Sequence, residues 1–187
     1  MTSQFDFNDS DLFTPVTHPQ SGVTIHVLTH RVAPLQQGFY FVNDSMSADG
    51  RYLWFYCAFP PALHKSLGVI DFVDQTVRHF PETSASGAYV DPETGHAFWC
   101  EGAAVWRRGP GAEDSPVLVN QLPAELVGHR SVTSLASHLT RSADGKEFFI
   151  NATVGLGYIF GSLPLDGSPF QPWWRFDRHH NHAQFSP

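Results

Sequence analysis

The chain has 187 residues and a formal net charge of -7, so it is long enough for one sizeable core, and its acidic balance argues against nucleic acid as a partner. The 16 Phe, 5 Trp and 5 Tyr, together with 15 Gly and 14 Pro, are typical of many short strands and turns. The start has no basic and apolar leader, and no apolar run approaches the ~18 residues of a membrane span. The sequence therefore predicts a cytoplasmic protein with no membrane partner.

The first segments differ in character. Residues 1–15 are polar and predict an irregular N-terminus. Residues 16–30 contain an alternating β-branched run over 23–29, which predicts a strand. From there the chain repeats a small polar turn with Gly followed by an aromatic strand. The copies begin at Ser47, Asp91 and Ser142, and Ser186-Pro187 resembles the start of a fourth.

The repeat predicts the fold class. Its starting points lie 44, 51 and 44 residues apart, at or slightly above the ~40–50-residue period of propeller blades. A hairpin pattern follows each copy, at 67–80, 103–121 and 157–176, and only 123–127 leaves room for a helical turn. The sequence therefore predicts an all-β fold, a β-propeller with four-stranded blades at 38–81, 85–121 and 132–176 and the first strand of a fourth at 179–187.

Three blades and one further strand do not close a ring, because propellers typically have about 4–8 blades. We therefore expect the chain to be a fragment, the N-terminal half of a longer protein, with the strand in residues 16–30 completing the last blade. The alternative is a half-ring that dimerises.

Aligning the copies predicts a polar cluster in the central channel. His182 falls in register with His138 in the third copy and Asn43 in the first, on inner strands that line the channel. Alternation along a strand places His180, His182 and Gln184 on one face. Imidazoles suit Mn, Zn, Fe or Ni, and an amide oxygen favours a harder ion such as Mn, so these three residues are predicted metal ligands.

Loops predicted at the same end carry further titratable side chains. His138 and His64, the latter on a Pro-rich loop, are candidate catalytic residues. Each candidate has a structural alternative: a lone histidine is often a hydrogen-bonded core residue, and Arg175 after two tryptophans can cover aromatic surface. The remaining candidates are Tyr158 as a catalytic residue and Arg175, Arg178 and Asn43 as substrate-binding residues.

Several segments together resemble a known family. Residues 17–29, the Phe39-Tyr-Phe segment with residues 47–55, and the terminal His182-Ala-Gln-Phe-Ser-Pro are similar to segments of oligogalacturonate lyases and related propellers. The resemblance covers most of residues 17–187. Ser21 stands where the family has the Thr of a Thr-Gly pair. β-Propeller ulvan lyases are similar in architecture and use His, Tyr and Arg.

The resemblance implies a seven-bladed propeller that cleaves uronate-containing oligosaccharides by β-elimination, with a divalent metal held by His and Gln side chains. Manganese is the first expectation, with zinc and calcium as alternatives. His138 and the 180–184 trio are the residues that carry over, followed by Tyr158 and Arg175. Further ligands and the base are expected in blades that this chain lacks.

Elimination requires residue types that the candidates provide. A proton next to a carboxylate is acidic only once the carboxylate charge is neutralised by a metal or Arg, and a His, Tyr or Lys then acts as base. The sequence thus predicts a polysaccharide or oligosaccharide lyase, or a lyase-like homologue, with an acidic oligosaccharide as partner. The alternatives are a non-catalytic propeller that binds sugar or protein, and a TolB-like or peptidase-associated propeller.

Overall fold

The computed structural model describes residues 10–180 and 182–185. They form a two-stranded hairpin and three four-stranded antiparallel sheets, and in each of the three sheets the strands are adjacent in chain order. These are propeller blades, as the sequence predicts. The hairpin consists of β1 (Phe13–Thr17) and β2 (Thr24–Leu28).

The three blades have the following strands. Blade 1 contains β3 (Leu35–Gln37), β4 (Tyr52–Ala58), β5 (Lys65–Asp71) and β6 (Thr76–Phe80). Blade 2 contains β7 (Ser86–Val90), β8 (Ala97–Glu101), β9 (Ala104–Arg108) and β10 (Val117–Gln121). One helical turn, α1 (Ala124–Val127), leads to blade 3, which contains β11 (Val132–Ser134), β12 (Glu147–Val154), β13 (Gly157–Pro164) and β14 (Gln171–Phe176). Within the described residues, no helix has the length and apolar character needed to span a membrane.

The repeated turn has the same chemistry in blades 1 and 3. Ser47 Oγ donates to Asp49 Oδ1 at 2.6 Å, and Ser142 Oγ donates to Asp144 Oδ1 at 2.7 Å. Gly50 follows with φ +71°, a left-handed conformation that glycine adopts without the steric cost of a Cβ. The Ser-x-Asp-Gly pattern is therefore the turn that leads into the second strand of each of these blades.

The core lies between neighbouring sheets rather than within them. One cluster joins the hairpin to blade 1, a second joins blades 1 and 2, and a third joins blades 2 and 3. Trp54 and Trp99 belong to the second cluster, with exposed fractions of 0% and 1%, and Trp54 Nε1 donates to Gly95 O at 2.9 Å across the blade boundary. Phe98 and Phe148 form the corresponding contact between blades 2 and 3, with ring centroids 5.2 Å apart. The blades are thus fixed side by side by buried aromatic side chains.

The inner strands and the ends differ from the sequence-based expectations. In blade 3 the inner strand divides into β11 and an isolated bridge between Arg141 and Phe148, with residues 135–140 in irregular structure between them. The inner strand of blade 1 is divided in the same way, with residues 38–45 in irregular structure. The predicted strand over 179–187 is not formed at residues 179, 180 and 182–185, where His182 has φ +58°, and residues 181, 186 and 187 lie outside the described part. The predicted irregular N-terminus, of which 1–9 are likewise not described, contains the start of β1.

Candidate functional site

Contacts between all three blades fix the backbone around His138. Leu139 N donates to Gly87 O at 2.9 Å, which joins this irregular segment to β7. The buried Asn43 amide donates to Ala88 O at 2.8 Å and to Leu139 O at 3.0 Å. Because the side-chain nitrogen of Asn43 already bonds to two main-chain carbonyls, this residue connects the inner segments of the three blades. Asn43 thus makes a structural contact, and its sequence-predicted role in substrate binding stays a prediction.

The His138 ring is buried and only partly hydrogen-bonded. The residue is 2% exposed, and its Nδ1 lies 3.2 Å from Ser137 Oγ. Its Nε2 is buried and has no hydrogen-bond partner among the residues that the structure describes. Burial lowers the pKa of His138, and the nearby His182 lowers it further. The neighbouring Gln184 side chain acts in the opposite direction by favouring the protonated ring, although it makes no close hydrogen bond to Nε2. A neutral imidazole with an unpartnered buried nitrogen is suited to accept a proton or a ligand contact.

Tyr40 connects His138 to His182. Its ring centroid lies 5.1 Å from that of His138 and 5.6 Å from that of His182, and its hydroxyl is 2.8 Å from His182 Nδ1. Tyr40 and His182 are 142 residues apart in the chain. The sequence does not predict Tyr40 as a site residue, although Tyr40 belongs to the Phe39-Tyr-Phe segment that carries part of the family resemblance.

His138 and Tyr40, but not His182, line a cavity. Its volume is about 560 Å³, within the range of roughly 300–1,000 Å³ that is usual for small-molecule sites. The cavity brings together two of the predicted catalytic residues, His138 on the wall and His64 at the exposed rim. Other lining residues with polar side chains are Gln37, Tyr40, Tyr56, Lys65, Ser84, Ser86, Glu101, Thr133 and Ser137.

Three predicted residues lie away from this cavity. Tyr158, at the start of β13, is half-buried and packs edge-on against His179 with ring centroids 5.4 Å apart. Arg175 is exposed on β14, the outermost strand of blade 3. Arg178 is also exposed, and its guanidinium lies 3.6 Å from Asp177.

Of the three predicted metal ligands, His182 and Gln184 are both close enough to His138 to influence its pKa, whereas His180 packs on an aromatic ring. The His180 ring packs on Phe176, with centroids 4.2 Å apart, whereas the His182 ring faces Tyr40. Gln184 lies beside His138 and lines a separate cavity of about 330 Å³. No group of three or more His, Cys, Asp or Glu side chains has the arrangement of a metal site anywhere in residues 10–180 and 182–185. Residues 179, 180 and 182–185 form no strand, so side chains two positions apart there need not share a face.

The two cysteines are not reactive thiols. Cys57 and Cys100 are free and buried, and burial raises the pKa of each to about 12. Thiolate is the nucleophilic form, so neither side chain is a nucleophile near neutral pH. Both act as small apolar core residues.

Comparison with known proteins shows similarity at the level of the fold. No family model matches the chain, and no curated protein matches it significantly. An oligogalacturonate lyase solved in complex with manganese is similar with a TM-score of 0.67 and 15% identity, over 89% of this chain and 48% of that one. An oligogalacturonate lyase from Vibrio parahaemolyticus has a TM-score of 0.65 and 9% identity, over 87% of this chain and 46% of that one. TolB from Acinetobacter baumannii has a TM-score of 0.50 and 10% identity, over 86% and 40% of the two chains.

The chain thus spans about half the length of the solved structures that it resembles. At these identities the likeness concerns the fold alone. It agrees with the arrangement of the three sheets: this chain has a β-propeller fold like that of oligogalacturonate lyases and TolB.

Proposed function

We propose that this chain forms part of the active site of a β-propeller lyase that cleaves uronate-containing oligosaccharides by β-elimination. One observation carries the proposal: His138, whose buried Nε2 has no hydrogen-bond partner among the described residues, is one of the residues that line a cavity of about 560 Å³. The fold similarity to two oligogalacturonate lyases supports the reaction class.

In this proposal His138 is the base, in place of the base that the family resemblance implies in blades outside this chain. Its Nε2 lone pair takes the proton from the sugar carbon that bears the carboxylate. The electrons of that C–H bond form a double bond to the neighbouring ring carbon, and the bond from that carbon to the glycosidic oxygen breaks. Burial lowers the pKa of His138, so the neutral ring that this step requires predominates at neutral pH.

Tyr40 and His182 provide an acid for the leaving oxygen. When His182 carries its proton on Nδ1, it donates to the Tyr40 oxygen, and the Tyr40 hydroxyl proton remains available. The leaving oxygen takes that proton, and the resulting phenolate stays hydrogen-bonded to His182. A His138 base and a Tyr40 acid with rings 5.1 Å apart would therefore act on neighbouring atoms of one substrate.

The proposal includes a divalent ion, with manganese first and zinc and calcium as alternatives, because one similar lyase was solved with manganese. The residues that the structure describes do not supply a complete ligand set, so no step above passes through the ion. When bound, such an ion would neutralise the carboxylate and stabilise the enolate-like intermediate. Metal analysis of the purified protein tests this part separately.

The test uses the protein that contains this sequence at its full natural length. With oligogalacturonate and added manganese, zinc or calcium, we expect an unsaturated product that absorbs near the ultraviolet edge. His138→Gln should lower its rate by about 10²–10⁴-fold, the usual contribution of a general base. Tyr158→Phe is the matched control and should leave the rate unchanged, since Tyr158 lies outside the cavity. A wild-type rate in His138→Gln contradicts the assignment, and absence of product with every ion favours a non-catalytic sugar-binding propeller.

A further inference from the structure

Lys65 has a fixed position on the wall of the same cavity. It is the first residue of β5, where it pairs with Ala58, and its carbonyl accepts a hydrogen bond from Ala85 N at 2.7 Å. The half-buried side chain places Nζ 2.7 Å from Gln37 Oε1 and 5.2 Å from the centre of the Tyr56 ring. The ammonium group is therefore held by a neutral amide and an aromatic face rather than moving freely in solvent.

The charge of Lys65 is not neutralised by the protein. Its Nζ has no carboxylate oxygen within 4.0 Å in the described part of the chain. Other cations differ: Arg51 pairs with Asp71 at 2.9 Å, and Arg141 pairs with Asp91 at 3.2 Å. An ammonium group has three donors, and among residues 10–180 and 182–185 one acceptor, Gln37 Oε1, uses a donor of Lys65. Two donors and a full positive charge thus remain beside the cavity.

Tyr56, whose ring lies beneath Lys65 Nζ and which lines the same cavity, has a hydroxyl group that adds a second donor. Its oxygen accepts a hydrogen bond from Ala88 N at 2.8 Å, and within the described residues its own proton is not donated to another group. Burial raises the pKa of Tyr56 to about 12, so the hydroxyl stays protonated near neutral pH. The cavity also has one carboxylate, Glu101, which is exposed at the end of β8 and more than 4.0 Å from Lys65 Nζ.

We propose that Lys65 Nζ and the Tyr56 hydroxyl form a carboxylate-binding subsite, which takes the carboxylate of a uronate unit whose ring faces His138. That the bound sugar is a uronate oligosaccharide rests on the proposed function. That the subsite binds a carboxylate rests only on the residues of the cavity. This subsite provides a positive charge in the cavity, which the sequence-predicted cations Arg175 and Arg178 do not provide because both lie outside it. Charge-assisted hydrogen bonds from Lys65 would discriminate a uronate from the corresponding neutral sugar.

The test measures affinity for trigalacturonate and for neutral galactotriose by calorimetry, in a His138→Gln background so that no substrate is consumed. We expect the added change Lys65→Gln to weaken trigalacturonate binding about 10- to 100-fold, the size of a lost charge-assisted hydrogen bond. Lys65→Arg should retain most of the affinity, because the charge is kept. The control, Lys146→Gln, changes an exposed lysine that is paired with Asp144 outside this cavity, and should have no effect.

The outcomes separate the subsite from the lyase function. Unchanged trigalacturonate affinity in the Lys65→Gln variant, or an equal loss for neutral galactotriose, overturns the subsite even if the wild-type protein releases unsaturated product. Charge-dependent binding through Lys65 without any product upholds the subsite and overturns the lyase function. The fluorescence of the buried Trp54 and Trp99 reports whether each variant is folded.

Discussion

Replacing Asn43 by alanine should destabilise the protein through its connection of three blades. The side chain is 8% exposed, and its amide donates to Ala88 O and Leu139 O at 2.8 and 3.0 Å. Each net hydrogen bond contributes about 0.5–1.5 kcal/mol, and a buried carbonyl left without a partner adds about 1–3 kcal/mol. We expect Asn43→Ala, which loses both bonds, to lower the free energy of unfolding by about 2–6 kcal/mol. In urea, with a slope of about 2–3 kcal/mol per M, the midpoint should fall by roughly 1–3 M.

Two further variants make the assay specific. Asn43→Asp keeps the shape of the side chain but places a carboxylate oxygen against two carbonyl oxygens. At neutral pH it should therefore lower the free energy of unfolding more than Asn43→Ala does, and this loss should become smaller at a pH where the aspartic acid is protonated. Asn120 is a matched control: it donates to Pro164 O and Ser168 O, both at 2.8 Å, but at a half-buried position where water can replace it. Unfolding followed by tryptophan fluorescence gives the midpoints. An unchanged midpoint in Asn43→Ala, together with weaker uronate binding, would refute the structural role and restore the sequence-predicted one.

Two more predictions concern the same region. Gly87→Ala should destabilise the protein more than Gly102→Ala. Both glycines have φ +58°, so an alanine at either position incurs a cost of about 1–2 kcal/mol for the left-handed backbone conformation, but only at Gly87 does the new Cβ meet Ala136 O, at 3.1 Å. Equal urea midpoints for the two variants would contradict this prediction. The pH dependence of stability should include a contribution from His138, because its pKa is lowered by folding from the ordinary 6.5, so the unfolded chain takes up the proton first as pH falls. That contribution is complete above the unfolded pKa and is lost as pH falls towards the lower folded value, so His138→Gln should make the urea midpoint decline less steeply as pH falls. A His138→Gln variant whose midpoint declines as steeply as that of the wild type would refute the prediction. His79→Gln is the comparison, because burial also lowers the pKa of His79.

The sequence predicts the blades well because their information is local. The hairpin predicted at residues 157–176 corresponds to β13 and β14 because Asp166-Gly167 provides a turn, with φ +84° at Gly167, between two segments rich in aromatic residues. The Ser-x-Asp-Gly turn likewise contains its own hydrogen bonds, as at Ser47 and Asp49. Neither feature depends on distant parts of the chain. The all-β class, the four-stranded sheets and the propeller fold could therefore be predicted from spacing alone.

The inner segments could not be predicted in this way because contacts between blades determine them. His138 was predicted from register, but its position depends on Asn43 and on the hydrogen bond from Leu139 N to Gly87 O. The pairing of Tyr40 with His182 joins residues 142 positions apart. The metal prediction relied on strand alternation through residues 180–184, which the described part of that segment does not have.

The central claim is that His138 faces a bound uronate. Nitrogen NMR of the histidine rings during titration with galacturonate, which has no glycosidic bond to cleave, tests it directly, with galactose as the neutral comparison. We predict that the Nε2 signal of His138 shifts with galacturonate and saturates, while His79, held by Ser66 at 2.7 Å outside the cavity, does not respond. Binding of galacturonate with an unchanged His138 signal would contradict the account.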